Sequence, residues 1–209
     1  MLFAALGNIH GDADALDCVL SELDARGMQL IVNTGDTVGD PIGTPKVLER
    51  LAARETHTVQ GAGDRAVSHF ARKRKRLKER LDPKEFDRLQ TCYEGISPEQ
   101  IEVLGQLSGA TMARFDGRTV AVCHGTWNRR NRYLEPGDED HWFRRQRELQ
   151  PADVFVLGGP SGPFSRLVDD TLFVNPGSIA SDANGCAEFA VINIEELPAR
   201  VEQCRIRVR

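Results

Sequence analysis

Five short apolar runs, each ending in a cluster of Gly, Asp, Asn or His, constrain this chain more than any other feature. They are LFAALGNIHGD at 2–12, IVNTGDTVGD at 31–40, TVQGAGD at 58–64, VAVCHGT at 120–126 and VFVLGGPS at 154–161. A short, continuous apolar run is the pattern of a strand buried on both faces. Polar groups that follow such a strand sit at its carboxyl end, where α/β folds carry their ligands. One loop of this kind says little. Five in series predict one site assembled along one sheet edge.

The segments between the runs agree. Leu16, Val19, Leu20 and Leu23 recur at helical spacing, with Asp12 or Asp14 as the start signal and Gly27 as the stop. Leu30 to Val32 reads as a second strand, Pro45 opens a helix through Val47, Leu48 and Leu51, and Thr56 to Val59 reads as a third strand. Strand signals then cease. RKRKRLKER at 72–80 is a strongly basic helix, Pro83 and Pro98 open two more, and residues 65–108 read as a helical insert. The basic run reads either as a solvated helix face or as a positive rim that attracts phosphate-bearing ligands. Asp116-Gly117 between two apolar runs signals a hairpin. A polar loop and a helix fill 128–149, and strands follow at 153–157, 164–168, 171–174, 187–194 and 201–208. Early βαβ units with late hairpins predict an α/β fold: a four-layer αββα sandwich of two mixed β-sheets flanked by helices, as a single domain over 1–209.

The chain's 209 residues suffice for one domain with a real core. A net charge of −4 argues against a dedicated nucleic-acid surface. No apolar run approaches the length of a membrane span and no leader pattern opens the chain, so neither a membrane nor a secreted setting is expected. The five cysteines are scattered, odd in number and without a CxxC, which points to reduced thiols in the cytoplasm. His57, His69 and His141 lie outside the loops and read as surface or structural residues.

In order and spacing, GNIHGD at 7–12, GDTVGD at 35–40, GAGD at 61–64, CHGT at 123–126, GGPS at 158–161 and NPGS at 175–178 resemble the motifs of the calcineurin-like metallophosphoesterases, of the small bacterial and archaeal phosphodiesterase type. The resemblance spans nearly the whole chain. It implies two divalent metals about 3.5–4 Å apart that clamp a phosphate and activate a water. Carried over residue by residue, it makes His10, Asp36 and His124 metal ligands, with Asp36 as the bridging carboxylate. Asn8 stands where the family has Asp and is expected as a neutral, weaker fourth metal ligand. Ala62 replaces the ligating Asn, and Gly63 the His that assists the leaving group. Gly159 and Ser161 replace both histidines of the GHTH loop.

Ala62, Gly63 and Gly159 offer no side-chain donor, and the amide of Asn8 carries no charge to offset a cation. The ligand set therefore implies at most one weakly held divalent metal (Mn, Zn, Mg or Fe), or none, with Asp12, Asp40 and Asp64 near enough in sequence to restore lost charge. Two functions follow. One is a non-hydrolytic or very weak binding protein for a phosphate-containing small molecule or nucleotide. The other is an active phosphoesterase, phosphodiesterase or phosphatase, using a reduced metal site. For either, Arg65 and the Arg129–Arg132 cluster are the expected phosphate contacts. The N–H groups of Gly7, Gly11, Gly35, Gly61, Gly125 and Gly158, and the start of the helix near Asp12, are expected to help.

Overall fold

The computed structural model describes residues 1–160 and 162–208. In chain order the elements are β1 (Leu2–Leu6), α1 (Ala13–Ala25), β2 (Leu30–Asn33), α2 (Thr44–Ala52), β3 (Glu55–Thr58), α3 (Ala62–Ser68), α4 (Phe70–Arg80), α5 (Pro83–Gly95), α6 (Pro98–Gln106), β4 (Ala110–Phe115), β5 (Arg118–Cys123), α7 (Asp140–Leu149), β6 (Val154–Leu157), β7 (Phe164–Val168), β8 (Thr171–Asn175), β9 (Cys186–Asn193) and β10 (Arg200–Arg207).

The strands form two five-stranded mixed sheets, β10-β9-β1-β2-β3 and β4-β5-β6-β8-β7. β1, β2 and β3 are parallel, as are β5, β6 and β8, so the carboxyl ends of each trio fall together. The period of two along each strand explains the layering. In β1, Phe3 and Ala5 face the second sheet, while Ala4 and Leu6 face α1. In β6, Val154 and Val156 enter the same inter-sheet core, and Phe155 and Leu157 pack with Phe143 of α7. Strands covered on both faces must be apolar throughout, which is why the sequence shows runs rather than alternation. Truncating a fully buried Phe such as Phe3 to Ala would cost about 3–5 kcal/mol.

Local signals behave as their chemistry requires. The Asp12 carboxylate caps α1 through the Ala15 N–H at 3.0 Å, and Gly27 leaves it at φ +68°. Pro83 and Pro98 open α5 and α6 behind the capping side chains of Asp82 and Ser97. Asp116 and Gly117 take φ of +49° and +76° at the β4–β5 turn. α3, α5 and α6 share a small core of their own around Val38, Val67, Cys92, Ile96 and Leu104, and α4 joins them through Phe70 on Phe86 and Tyr93. All five cysteines are free thiols, and Cys92, Cys123 and Cys204 are buried. Among the described residues, no helix is long and apolar enough to cross a membrane.

Candidate functional site

The parallel pairing of β1 and β2 continues past the strand ends. Asn8 N–H donates to Gly35 O at 3.0 Å, His10 N–H to Asp36 O at 2.8 Å, and Gly11 N–H to Thr37 O at 2.9 Å. To hold that register, Asn8, His10 and Asp36 adopt φ of +51°, +49° and +54°. Non-glycine residues in this region cost of order 1–3 kcal/mol each and gather at functional sites. The second and third loops touch main chain to main chain: a Cβ on Gly61 would lie 2.1 Å from Asp36 N, so only glycine allows the approach.

The same edge is stitched across the two sheets. The Asn8 Nδ2 donates to Gly159 O at 2.8 Å, and the Ser178 hydroxyl donates to Asn8 O at 3.1 Å. Asn175 Oδ1 accepts from Gly177 N–H at 2.9 Å and shapes the NPGS turn that carries Ser178. His124 is buried, with Nδ1 2.9 Å from Thr34 O. A carbonyl only accepts, so Nδ1 carries the hydrogen and Nε2 is the nitrogen turned toward the site. Nε2 lies 3.6 Å from Asp36 Oδ2 and 3.4 Å from the Tyr133 hydroxyl. The other Asp36 oxygen accepts from Gly63 N–H at 2.8 Å.

Asn8, His10, Asp36, Tyr133 and Gly159 line one cavity of about 300 Å³. His124 and Arg65 open onto an adjoining one of about 600 Å³, with Tyr133 between the two. Ala62, the first residue of α3, lines the larger cavity. Ser161 lies outside the described residues. Among the described residues, no group of three or more His, Cys, Asp or Glu side chains is arranged to hold a metal ion.

Tyr133 carries no sequence motif, and its role emerges only in space. Gly159 sits at φ +123°, and a Cβ there would come within 2.5 Å of Tyr133 Cδ1. The Tyr133 ring fills the volume that any side chain at 159 would need. The one signal in the sequence was the bare glycine at 159, which leaves room for a residue from elsewhere. Burial, and then the Asp36 carboxylate, raise the Tyr133 phenol above its ordinary range.

Three expectations need correction. Asp12 and Asp64 do not restore charge to the site, because both oxygens of each are engaged within the protein, whereas Asp40 lines a cavity with His10 and Asp36. Asp12 caps α1 and accepts from Ser181 N–H and hydroxyl, and Asp40 accepts from Gly43 N–H. Asp64 is fully buried and accepts from Thr37, Val38 and Gly61 N–H at 2.9, 3.1 and 2.8 Å. Burial, aided by the nearby Asp36 charge, pushes its carboxyl up to about 6. Four of the six expected backbone donors are also spent. The N–H groups of Gly11, Gly35, Gly61 and Gly158 all donate within the protein, and the Asp12 carboxylate already occupies the start of α1. Of the Arg129–Arg132 cluster only Arg130 lines the large cavity, held by Gln60 Oε1 at 2.5 Å, while Arg132 stacks 3.8 Å over Trp142.

The remaining histidines line none of these cavities. His57 packs edge-on against Phe115, His69 Nδ1 meets Arg65 O at 2.9 Å, and His141 lies against Trp142.

The family model of the calcineurin-like phosphoesterase superfamily domain matches residues 1–197, and the chain belongs to that superfamily. Solved structures share the fold at low identity. A hypothetical protein of Pyrococcus horikoshii aligns with a TM-score of 0.84 and 19% identity, over 100% of this chain and 88% of that one. A metallophosphoesterase from Sphaerobacter thermophilus gives 0.72 and 19%, over 100% and 89%. An archaeal phosphodiesterase gives 0.58 and 12%, over 98% and 100%. Among curated proteins none matches the chain significantly.

Proposed function

We propose that this chain is a phosphate-ligand binder built on the phosphoesterase fold, which holds its ligand with side-chain cations and does not hydrolyse it efficiently. The observation that carries the reading is the Tyr133 ring seated against Gly159, where a metal-ligating side chain would have to stand. Asn8 argues the same way. Its amide hydrogen bonds the Gly159 carbonyl, a contact that a carboxylate would turn into oxygen facing oxygen. The donors left, His10, Asp36 and His124, do not fit a pair of divalent ions, because Ala62, Gly63 and Gly159 supply no atom to complete either coordination shell. Anion binding falls instead to Arg65 and Arg130, whose guanidinium forks match phosphate oxygens. The five free thiols support a reducing, cytoplasmic setting.

A second reading has one observation in its favour. Asp36 Oδ2 and His124 Nε2 converge to 3.6 Å, a carboxylate and an imidazole nitrogen that a single cation could share. Calorimetric titration with phosphate and nucleotides, with and without EDTA, separates the two. Binding that survives EDTA with no product in the phosphorus NMR spectrum is expected. Turnover abolished by EDTA would establish the reduced-site enzyme, and no binding in either condition would defeat the phosphate reading.

A further inference from the structure

We infer that the ligand of the large cavity carries two or more linked phosphates, read by a row of cations on α4 formed by Lys73, Arg76 and Arg80. This assignment of ligand class rests on the phosphate-binding function proposed above. The three residues stand at i, i+3 and i+7, so they share one helix face. From Lys73 to Arg80 the helix rises about 10.5 Å, and successive turns offer a cation about every 5.4 Å. All three line the cavity of about 600 Å³ that also holds Arg65, Arg130, His124 and Tyr133.

The charge on this wall is uncompensated. No carboxylate lines the cavity, and among the described residues none of its five cations forms an ion pair. Ion pairs do form elsewhere, as between Arg26 and Glu202, Arg54 and Asp24, or Arg166 and Asp140, and several exposed arginines stand alone, but here five unpaired cations share one cavity. The crowding is felt electrostatically. Slight desolvation and the neighbouring charges of Arg65, Arg72 and Arg76 hold Lys73 below its ordinary range, and burial with Arg65 does the same to Arg130. A ligand that brings several negative charges relieves this repulsion. Arg65 and Arg130 suffice for one phosphate at the Tyr133 end. The row on α4 adds three more cations along about 10.5 Å of the same cavity wall, a span that linked phosphates can follow and a single phosphate cannot. The chain as a whole carries a net charge of −4, so the positive field is confined to this cavity, which favours a small molecule over a continuous nucleic-acid strand.

Calorimetric titration of the full chain with orthophosphate, pyrophosphate and tripolyphosphate, at fixed ionic strength, tests the assignment. Affinity is expected to rise at least tenfold from orthophosphate to the linked phosphates. The exposed pair Arg76→Ala and Arg80→Ala should remove that increment and leave orthophosphate affinity within twofold. Lys75→Ala with Lys78→Ala removes equal charge from the opposite face of α4 and should preserve the increment. Orthophosphate binding without an increment, or an increment lost equally in both paired variants, overturns the row and leaves the phosphate reading standing. No binding of any probe overturns both. An oligothymidylate that binds more tightly than tripolyphosphate would give the row to a nucleic-acid strand and overturn the small-ligand assignment.

Discussion

Two cavities of nearly equal size, about 600 and 610 Å³, flank α3 and share Ala62, Ala66 and Leu81 as their common wall. Their charges oppose one another. One is lined by Arg65, Lys73, Arg76, Arg80 and Arg130 with no acid. The other holds Asp36, Asp40 and Glu85 beside His10 and Arg88. A hydrolytic phosphate site needs both signs on one reacting centre: cations on the phosphoryl oxygens, and acidic or imidazole groups to hold a metal or move a proton. Here the shared wall ends in the methyl group of Ala62, which can join neither set. The difference teaches that the cations gather on one side of α3 and the carboxylates on the other, with only Asp36 reaching the basic side through His124 and Tyr133.

Asp64 ties the two walls together, since it binds Val38 N–H on the acidic side and Gly61 N–H on the basic side. Asp64→Ala should produce the largest effect, about 3–5 kcal/mol of lost stability in urea unfolding, because three buried N–H groups lose their acceptor. The same carboxyl makes stability depend on pH. Its folded value of about 6 lies above the ordinary 3.8, so between those values the unfolded chain releases this proton first. Stability should therefore fall as pH rises from about 4 to about 6 and then level off, with a contribution of about 3 kcal/mol. Asp64→Asn does not titrate, and the slope in that window should disappear with it.

A smaller effect tests the boundary at Tyr133. Gly159→Ala alone should cost about 2–3 kcal/mol, from its positive φ and the clash with the ring. Combined with Tyr133→Ala it should cost about 1 kcal/mol less than the two single changes summed. Strict additivity in thermal unfolding would remove the ring from the account of position 159. The smallest effect divides the two cavities by charge. Arg65→Ala should weaken phosphate binding about tenfold, or about 1.4 kcal/mol. Glu85→Gln in the acidic cavity should change it less than twofold. Equal effects in calorimetry would merge the two cavities into one site.

The centre of the sandwich was legible because β1, β2, β6 and β8 are covered on both faces and double coverage writes itself as apolar runs. The edge strand β3, Glu55–Thr58, by contrast has no buried residue and ends one residue before the expected Val59. The order of the loops was legible too, since a glycine or aspartate ends each run. Contacts that depend on two distant segments were not. Nothing near 133 announces that Tyr133 meets Gly159, and nothing near 12, 40 or 64 announces that these acids are committed to backbone N–H groups. The basic run at 72–80 gave its charge but not its direction. Helical spacing places residues 73, 76 and 80 on one face, yet only the packing of Phe70 on Phe86 and Tyr93 turns that face to the cavity.

The main-chain bonds that carry the β1–β2 register through Asn8, His10 and Gly11 have one more consequence. The register of the two loops is written in peptide groups. Side chains at positions 62 and 65 take no part in that register and can be exchanged without asking the loops to move, whereas Asn8 and His10 hold left-handed backbone and Asn8 also bonds Gly159 O. The fold resembles a socket whose contacts can be rewired while its housing stays fixed, and a protein built this way can part with one chemistry and take up another at little risk to its own folding.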